Sequence, residues 1–135
     1  MLAAYQALAQ LASRSPVHQR PEDIYEAATV GVDTLAMRTV QLFCRVLGSF
    51  AGNTALTVGA QGGVYIAGGI AARILPILAT SDFRQRFESK GRLRAYLTDI
   101  PVYVVTAPDI GLRGAAQFLG TRGQDHQTRT TYADQ

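Results

Sequence analysis

The longest periodic segment of this chain runs from residue 34 to residue 58 and predicts a single long helix. Apolar side chains and one threonine recur in it at steps of three and four residues, the spacing of one helix face. They are Val40, Phe43, Leu47, Phe50, Thr54 and Val58. Beside this stripe lie small residues, namely Gly48, Ala51, Gly52, Ala55 and Gly59. Because a glycine inside a helix costs up to about 1 kcal/mol, we expect this side to pack tightly against a sheet.

Two glycine pairs, Gly62-Gly63 and Gly68-Gly69, enclose the apolar run of residues 64–67. A short β-branched and aromatic run bounded by glycine predicts a buried strand. Residues 101–106, PVYVVT, predict a second strand for the same reason. Continuous hydrophobic strands are typical of a parallel sheet that is covered on both faces. The sequence therefore predicts a helix-rich α/β fold, although two strands are fewer than an ordinary sheet contains.

The remaining segments predict shorter helices and one tail. The helices are LAAYQALAQL at the N-terminus, PEDIYEAA from Pro21, IAARILPILAT with a break at Pro76, DFRQRFES capped by Ser81, RLRAYLTD, and residues 109–119. Asp33 is a predicted N-cap of the long helix. Residues 120–135 are polar and have no period, which predicts a disordered tail after an ordered region of residues 1–119.

Composition is that of a globular protein, since 47% of the 135 residues are hydrophobic. No apolar run approaches the roughly 20 residues that a membrane-spanning helix needs, and the N-terminus lacks the basic region of a signal peptide. The single cysteine, Cys44, lies in an apolar helical pattern. We expect it to be a buried small side chain in a reducing, cytoplasmic compartment.

A basic segment between Asp82 and Arg94 carries five cations and two anions, an excess equal to the net charge of +3 of the whole chain. A nucleic-acid surface would need further basic residues elsewhere or aromatic side chains placed for stacking. Phe83 and Phe87 are instead spaced as one apolar helix face, with solvated arginines opposite. The pattern does not predict nucleic-acid binding.

Residues that carry chemistry are scarce. His18 and His126 have no cysteine, histidine or carboxylate partner at the spacing of metal ligands. Glu22, Asp23 and Glu26 occupy the first turns of a helix, where acidic side chains are typical of a solvated face. Common phosphate-binding and nucleophile motifs are not found in the sequence. It therefore predicts neither a catalytic residue nor a metal site in this chain.

The strand–Gly68-Gly69–helix unit is the one candidate binding element. A glycine pair at the carboxyl end of a strand lets a ligand approach the backbone, and the helix that follows offers free N–H groups. In a parallel sheet this is the edge where ligands bind. Many strand-to-helix turns use glycine for geometry alone, so these residues by themselves favour a structural turn.

Four segments carry a resemblance to a known family: LFCRVLGSFAGNTAL, GGVYIAGGI, FRQRFESKGRL and DIPVYVVTAPDIGLRGAAQFL. Together they resemble the C-terminal portion of bacterial glucokinase, an ATP-dependent sugar kinase of the hexokinase and actin-like superfamily. The similarity runs in order from Leu2 to Leu119. It is specific because GGVYIAGGI and KGR occur together.

The resemblance implies a ribonuclease H-like kinase fold of two domains with ATP in the cleft between them. It places Gly68, Gly69 and the backbone of Ile70 close to the adenosine part of ATP. The implied reaction transfers the γ-phosphoryl group of ATP, with Mg²⁺, to the 6-hydroxyl of glucose. The implied enzyme is a cytoplasmic homodimer that uses glucose and ATP and binds neither nucleic acid nor membrane.

Several family elements do not occur in this sequence. They are the Asp-x-Gly-Gly-Thr phosphate loop, the Asn-Asp catalytic pair, and the Glu and His residues that hold the sugar. The resemblance therefore implies a C-terminal fragment that is inactive alone and supplies part of the nucleotide side of the cleft. The alternative is a stand-alone helical interaction or dimerisation module that has lost kinase function.

Overall fold

The structure, a computed structural model, describes residues 1–130, and from residue 121 it describes the backbone alone. Helices dominate this part of the chain. They are α1 (Leu2–Leu11), α2 (Pro21–Val30), α3 (Thr34–Val58), α4 (Gly69–Arg73), α5 (Leu75–Thr80), α6 (Phe83–Glu88), α7 (Arg94–Thr98) and α8 (Ile110–Thr130), with a 3₁₀ turn at Gly91–Leu93. The strands are β1 (Val64–Ile66) and β2 (Val102–Val104).

The central helix α3 has the bounds that the sequence predicts. It begins after Asp33, whose Oδ1 accepts a hydrogen bond from the Leu35 N–H at 2.8 Å. It ends at Gly59, whose positive φ of 63° lets the chain leave the helix in a left-handed conformation. Around α3 pack α1, α2, α5, α6 and α7, so this one helix organises the core. The predicted break at Pro76 is also present, because α4 ends at Arg73 and α5 begins at Leu75.

The small residues of α3 face another helix, which corrects the prediction that they face a sheet. Gly48 and Gly52 lie against the backbone of α6. A Cβ atom at Gly48 would overlap the carbonyl oxygen of Phe83, and one at Gly52 would overlap that of Phe87. Two helix backbones approach this closely only where the facing residues have no side chain. The glycines therefore serve a helix–helix contact, which apolar spacing alone does not distinguish from a helix–sheet contact.

The predicted apolar stripe of α3 is buried only in its first half. Val40 is fully buried, and Phe43 and Leu47 are partly buried. Phe50 and Val58 are largely exposed instead. From Cys44 onward the buried face of α3 consists of its small residues, which are Gly48, Ala51, Gly52 and Ala55. The close contact with α6 turns this side inward, so the larger side chains face outward.

The two strands pair in parallel, with Val64 opposite Val102 and Ile66 opposite Val104. The four flanking side chains pack against the core, while Tyr65 and Tyr103 are exposed on the other face. Their rings stack with centroids 5.0 Å apart. The prediction that both faces are covered is therefore wrong for the described part of the chain, in which one face is open. The fold is helix-rich α/β with a two-stranded parallel sheet.

The last helix is longer than the sequence predicts. α8 runs from Ile110 to Thr130, whereas the predicted helix ends at residue 119 and is followed by a disordered tail. Residues 131–135 of that tail lie outside the described residues, and the division at residue 119 stays a prediction. No helix among residues 1–130 combines the length and the apolar character needed to cross a membrane.

Arg84 of α6 connects the end of α7 to the beginning of β2. Its Nη1 donates a hydrogen bond to the Ile100 carbonyl at 2.7 Å, and its Nη2 donates to the Thr98 carbonyl at 2.6 Å. Its Nε pairs with Glu88, one helical turn along α6. Because C-terminal helix carbonyls need donors, the guanidinium fixes the segment from which β2 starts.

We expect replacement of Arg84 by alanine to lower the free energy of unfolding by about 1–2 kcal/mol, since several carbonyls lose a charged donor. Arg86→Ala removes an exposed arginine from the same helix and serves as the matched control. Urea unfolding followed by circular dichroism measures both. Equal effects of the two substitutions would contradict the capping role of Arg84.

Candidate functional site

The Gly68-Gly69 turn connects β1 to α4 and is open to solvent. Gly68 has φ of 122° and ψ of 153°, a conformation that side-chain-bearing residues rarely adopt. α4 begins at Gly69, and Ile70 is exposed on its first turn. A Cβ atom built on either glycine would meet no other atom within 4 Å. The backbone of the turn is therefore accessible, and no neighbouring side chain fills the space beside it.

A second loop reaches the same edge of the sheet. Because β1 and β2 are parallel, the loop that follows Val104 leaves the sheet beside the Gly68-Gly69 turn. The Val105 N–H donates to the Ile66 carbonyl at 2.9 Å and extends the pairing to this edge. Beyond it, Thr106 is exposed, and Asp109 has a positive φ of 58°, which is unusual for a residue other than glycine. The predicted strand extends to residue 106, whereas β2 ends at Val104 and this loop follows it.

A surface cleft of about 710 Å³ opens between α2 and α4. Glu22, Tyr25 and Glu26 line it from α2, and Arg73 lines it from the end of α4. Burial raises the pKa of the Tyr25 hydroxyl, and the nearby Glu22 carboxylate raises it further. The solvated helix face predicted for these carboxylates is consistent with the structure, since Glu26 is exposed and Glu22 is partly exposed. The structure brings two of them together with a phenol and a guanidinium, a set that suits a ligand with several hydroxyl or amino groups.

His18 has a carboxylate partner that the sequence analysis missed. Its Nε2 lies 3.3 Å from Asp33 Oδ2, and the Tyr5 hydroxyl donates to the same oxygen at 3.0 Å. The Tyr5 and His18 rings are 5.5 Å apart. His18 and Asp33 are 15 positions apart in sequence, and α2 lies between them. The side chain of His126 lies outside the described side chains.

The pKa of Asp33 lies below its usual range. Burial alone would raise this pKa, but hydrogen bonds from the Leu35 N–H and the Tyr5 hydroxyl outweigh it, and the neighbouring His18 also lowers it. The carboxylate is thus held in its charged form as the N-cap of α3. This cluster is best explained as a junction between α1, α2 and α3, because its hydrogen bonds connect these elements.

Comparison with known proteins decides the family. The glucokinase family model matches residues 1–122. The chain belongs to the glucokinase family. It is 48% identical over 119 residues to a glucokinase of Hahella chejuensis and 49% identical over 115 residues to one of Neisseria meningitidis. The resemblance seen in the sequence is confirmed.

The same relatives show how much of a glucokinase this chain represents. The matches cover 88% and 85% of the chain but only 37% and 35% of the two relatives. A crystal structure of glucokinase from an Antarctic psychrotroph superimposes with a TM-score of 0.78 at 37% identity, covering 89% of this chain and 37% of that one. The chain therefore spans little more than a third of a glucokinase, a share consistent with the C-terminal portion that its motifs resemble.

The segments that resemble glucokinase have structural roles in this fold. Lys90 of the KGR element donates from Nζ to the Ser49 carbonyl of α3 at 3.0 Å, and Gly91 has a positive φ of 55°. The glycines of LGSFAGN are those that contact α6. Lys90 and Arg84 of the basic segment thus donate hydrogen bonds within the molecule. The Arg94 Nε lies 3.8 Å from the Glu88 Oε2. Several residues of the motifs that resemble glucokinase therefore stabilise the contact between α3 and α6 or the turn that follows α6.

Two further predictions from the sequence concern the burial of Cys44 and the binding of metal ions. Cys44 is fully buried, as predicted, and burial raises the pKa of its thiol, which makes the thiolate scarce. Among the described side chains, no group of three or more histidine, cysteine, aspartate or glutamate residues is arranged to bind a metal ion.

Proposed function

We propose that this chain is part of an ATP-dependent glucokinase and forms the nucleotide side of its active-site cleft. The open Gly68-Gly69 turn at the carboxyl edge of the sheet is the observation that carries the proposal. Gly68, Gly69 and the Ile70 backbone are the residues proposed to lie against the adenosine part of ATP. The empty space beside both glycines fits this role, because a flat nucleoside can approach bare backbone that side chains would shield.

The proposed reaction is transfer of the γ-phosphoryl group of ATP, as its Mg²⁺ complex, to the 6-hydroxyl of glucose. In such transfers positioning and charge neutralisation supply most of the catalysis. This chain contributes positioning, since β1 and α4 hold the turn at the sheet edge. α4 begins at the turn and ends at Arg73, which lines the cleft. A ligand that lies along α4 would therefore contact both the turn and the cleft. We further propose a ribonuclease H-like domain, a cytoplasmic location and a homodimeric enzyme.

We also propose that the isolated chain does not phosphorylate glucose. The phosphate loop, the Asn-Asp pair and the sugar-binding residues of the family do not occur in its sequence. A coupled assay of glucose 6-phosphate formation with the purified chain is expected to show no turnover above background. Measurable turnover that follows the chain through purification would contradict the proposal.

The nucleotide role can be tested in a complete enzyme by exchanging the matching part of the Hahella chejuensis glucokinase for residues 1–119 of this chain. We expect this chimera to phosphorylate glucose. Gly69→Val should raise its KM for ATP about tenfold or more, while its KM for glucose changes little. Gly69 is preferred to Gly68 because its φ lies outside the left-handed region. A side chain added there blocks the approach of ATP without straining the backbone.

The matched control in the chimera is Gly62→Val. Gly62 is another exposed glycine with no atom within 4 Å of its Cβ position, but it precedes β1 at the opposite edge of the sheet. Its substitution is expected to leave both KM values unchanged. An unchanged ATP dependence in Gly69→Val would remove the turn from the nucleotide site, and an inactive chimera that is correctly folded would count against the kinase assignment.

A second candidate function is a stand-alone interaction or dimerisation module. It is favoured by apolar side chains exposed on several elements, including Phe50, Tyr65 and Leu112. Such surfaces are typical of protein contacts. Light scattering after size exclusion tests this candidate, and a stable monomer at high concentration would contradict it.

A further inference from the structure

Tyr25 of α2 carries a polar group without a partner on an otherwise buried side chain. The residue is 5% exposed and lines the cleft between α2 and α4. Its hydroxyl makes no hydrogen bond to any of the described residues, although buried polar groups are normally paired. No fully buried side-chain oxygen or nitrogen among these residues lacks a partner, so this hydroxyl is not sealed in the core. It therefore opens into the cleft.

The same cleft offers a hydrogen-bond acceptor as well as this donor. Glu22 Oε2 lies 3.7 Å from the Arg20 Nε, which is longer than a hydrogen bond, so the carboxylate keeps its capacity to accept. The Thr29 hydroxyl already donates to the Tyr25 carbonyl at 2.8 Å. Burial and, after it, the Glu22 carboxylate raise the pKa of the Tyr25 hydroxyl, which is therefore protonated at neutral pH and can donate.

The charges that line the cleft cancel. The carboxylates of Glu22 and Glu26 stand against the guanidinium groups of Arg20 and Arg73. A site for phosphate groups would carry an excess of positive charge. A cleft of mixed sign that contains a free donor and a free acceptor suits an uncharged group with hydrogen-bonding edges, such as the base of a nucleotide.

The cleft lies one helical turn from the Gly68-Gly69 turn. Gly69 and Arg73 are the first and last residues of α4, so they share a helix face and lie about 6 Å apart along the axis. Helix side chains lean toward the N-terminus, which directs Arg73 back toward the turn. A nucleoside whose sugar lies against the turn therefore has its base within reach of the cleft.

We propose that Tyr25 and Glu22 are specificity residues that select adenine as the base of the nucleotide. The Tyr25 hydroxyl donates to a ring nitrogen of the base, and the Glu22 carboxylate accepts a hydrogen bond from its amino group. A base with an oxygen in place of the amino group would set two acceptors against each other and leave both unpaired. The inference rests on the nucleotide role proposed above for the Gly68-Gly69 turn, and it adds the residues that choose the base.

Equilibrium dialysis of the chimera described above against ATP and inosine triphosphate tests this selection. Inosine triphosphate carries an oxygen at the position where ATP carries its amino group. We expect ATP to bind at least about tenfold more tightly. Glu22→Gln should lower this preference about tenfold, because an amide can also donate to the oxygen. Tyr25→Phe removes the hydroxyl alone and should weaken ATP binding about threefold to tenfold.

The matched control is Tyr103→Phe, which removes the hydroxyl of an exposed tyrosine on the open face of the sheet. It should leave both dissociation constants unchanged, and circular dichroism confirms that all variants are folded.

Two results would overturn the specificity role alone, provided that Gly69→Val still weakens ATP binding. One is an equal change for both nucleotides in Glu22→Gln, and the other is a Tyr25→Phe variant that binds ATP as the control does. If Gly69→Val leaves ATP binding unchanged, or if the folded chimera binds no ATP, the nucleotide role of the turn and this inference are both wrong.

Discussion

Replacing Gly48 by alanine is expected to destabilise the fold strongly. The new Cβ would overlap the carbonyl oxygen of Phe83 and lie about 3.0 Å from its carbonyl carbon. Both atoms belong to the backbone of α6, so no side-chain rotation relieves the overlap and α6 has to move. We expect the free energy of unfolding to fall by about 3 kcal/mol or more. The gain of about 1 kcal/mol in helix propensity offsets only part of this loss.

Gly52→Ala should behave in the same way, because its Cβ would overlap the Phe87 carbonyl one helical turn along α6. Asn53→Ala is the matched control, since Asn53 neighbours Gly52 but its side chain is exposed. It should be neutral or slightly stabilising. Urea unfolding followed by circular dichroism measures all three variants. Unfolding midpoints of Gly48→Ala and Gly52→Ala that match the Asn53→Ala midpoint would show that the two helices are farther apart than described.

Replacing Asp33 by alanine is expected to lower the free energy of unfolding by about 2–3 kcal/mol. The substitution removes the N-cap of α3, which is worth about 1 kcal/mol. It also leaves the buried Tyr5 hydroxyl without its acceptor, which costs about 1–3 kcal/mol. Asp33→Asn keeps an oxygen for the cap and should cost clearly less. Equal losses for the alanine and asparagine variants in thermal or urea unfolding would mean that the charge, rather than the cap, carries the effect.

The lowered pKa of the Asp33 carboxyl group predicts that the stability of the fold depends on pH. The pKa of Asp33 is lower in the folded protein than its ordinary value of 3.8, so the folded state binds this proton less readily than the unfolded state. Its contribution to stability is therefore complete above pH 3.8 and is lost as the pH falls through the lower pKa of the folded state. Unfolding measured between pH 5 and pH 2 should show a steeper loss for the natural chain than for Asp33→Asn. Parallel curves for the two proteins would contradict this assignment.

Local signals in the sequence were sufficient for the ends of α3. Asp33 before an apolar run and Gly59 after it define α3, because a cap and a left-handed residue act on the nearest hydrogen bonds. The glycine-bounded run of residues 64–67 and the run of residues 101–106 contain the two strands for a similar reason. The Gly68-Gly69 turn was also visible as the one candidate binding element, and the structure describes it as open.

Partners that are distant in sequence were not predicted. A sheet was expected beside Gly48 and Gly52, and α6 lies there. No carboxylate partner was expected for His18, and Asp33 lies 3.3 Å from it. Glu22 and Glu26 lie on a solvated face as expected, but Arg73 was not expected to line the same cleft. In each case the missing information is which segments meet in space, and residue spacing along one helix does not contain it.

By itself, the sequence determined the helix-rich α/β class, the bounds of α3 and the resemblance to glucokinase, because these depend on local hydrogen bonding and on motifs that are read in order. Only the tertiary structure decided which side of α3 is inside. Hydrophobicity favoured the stripe that contains Phe50 and Val58, but the two glycines allow α6 to approach so closely that the small side is buried. Phe50 and Val58 consequently face outward.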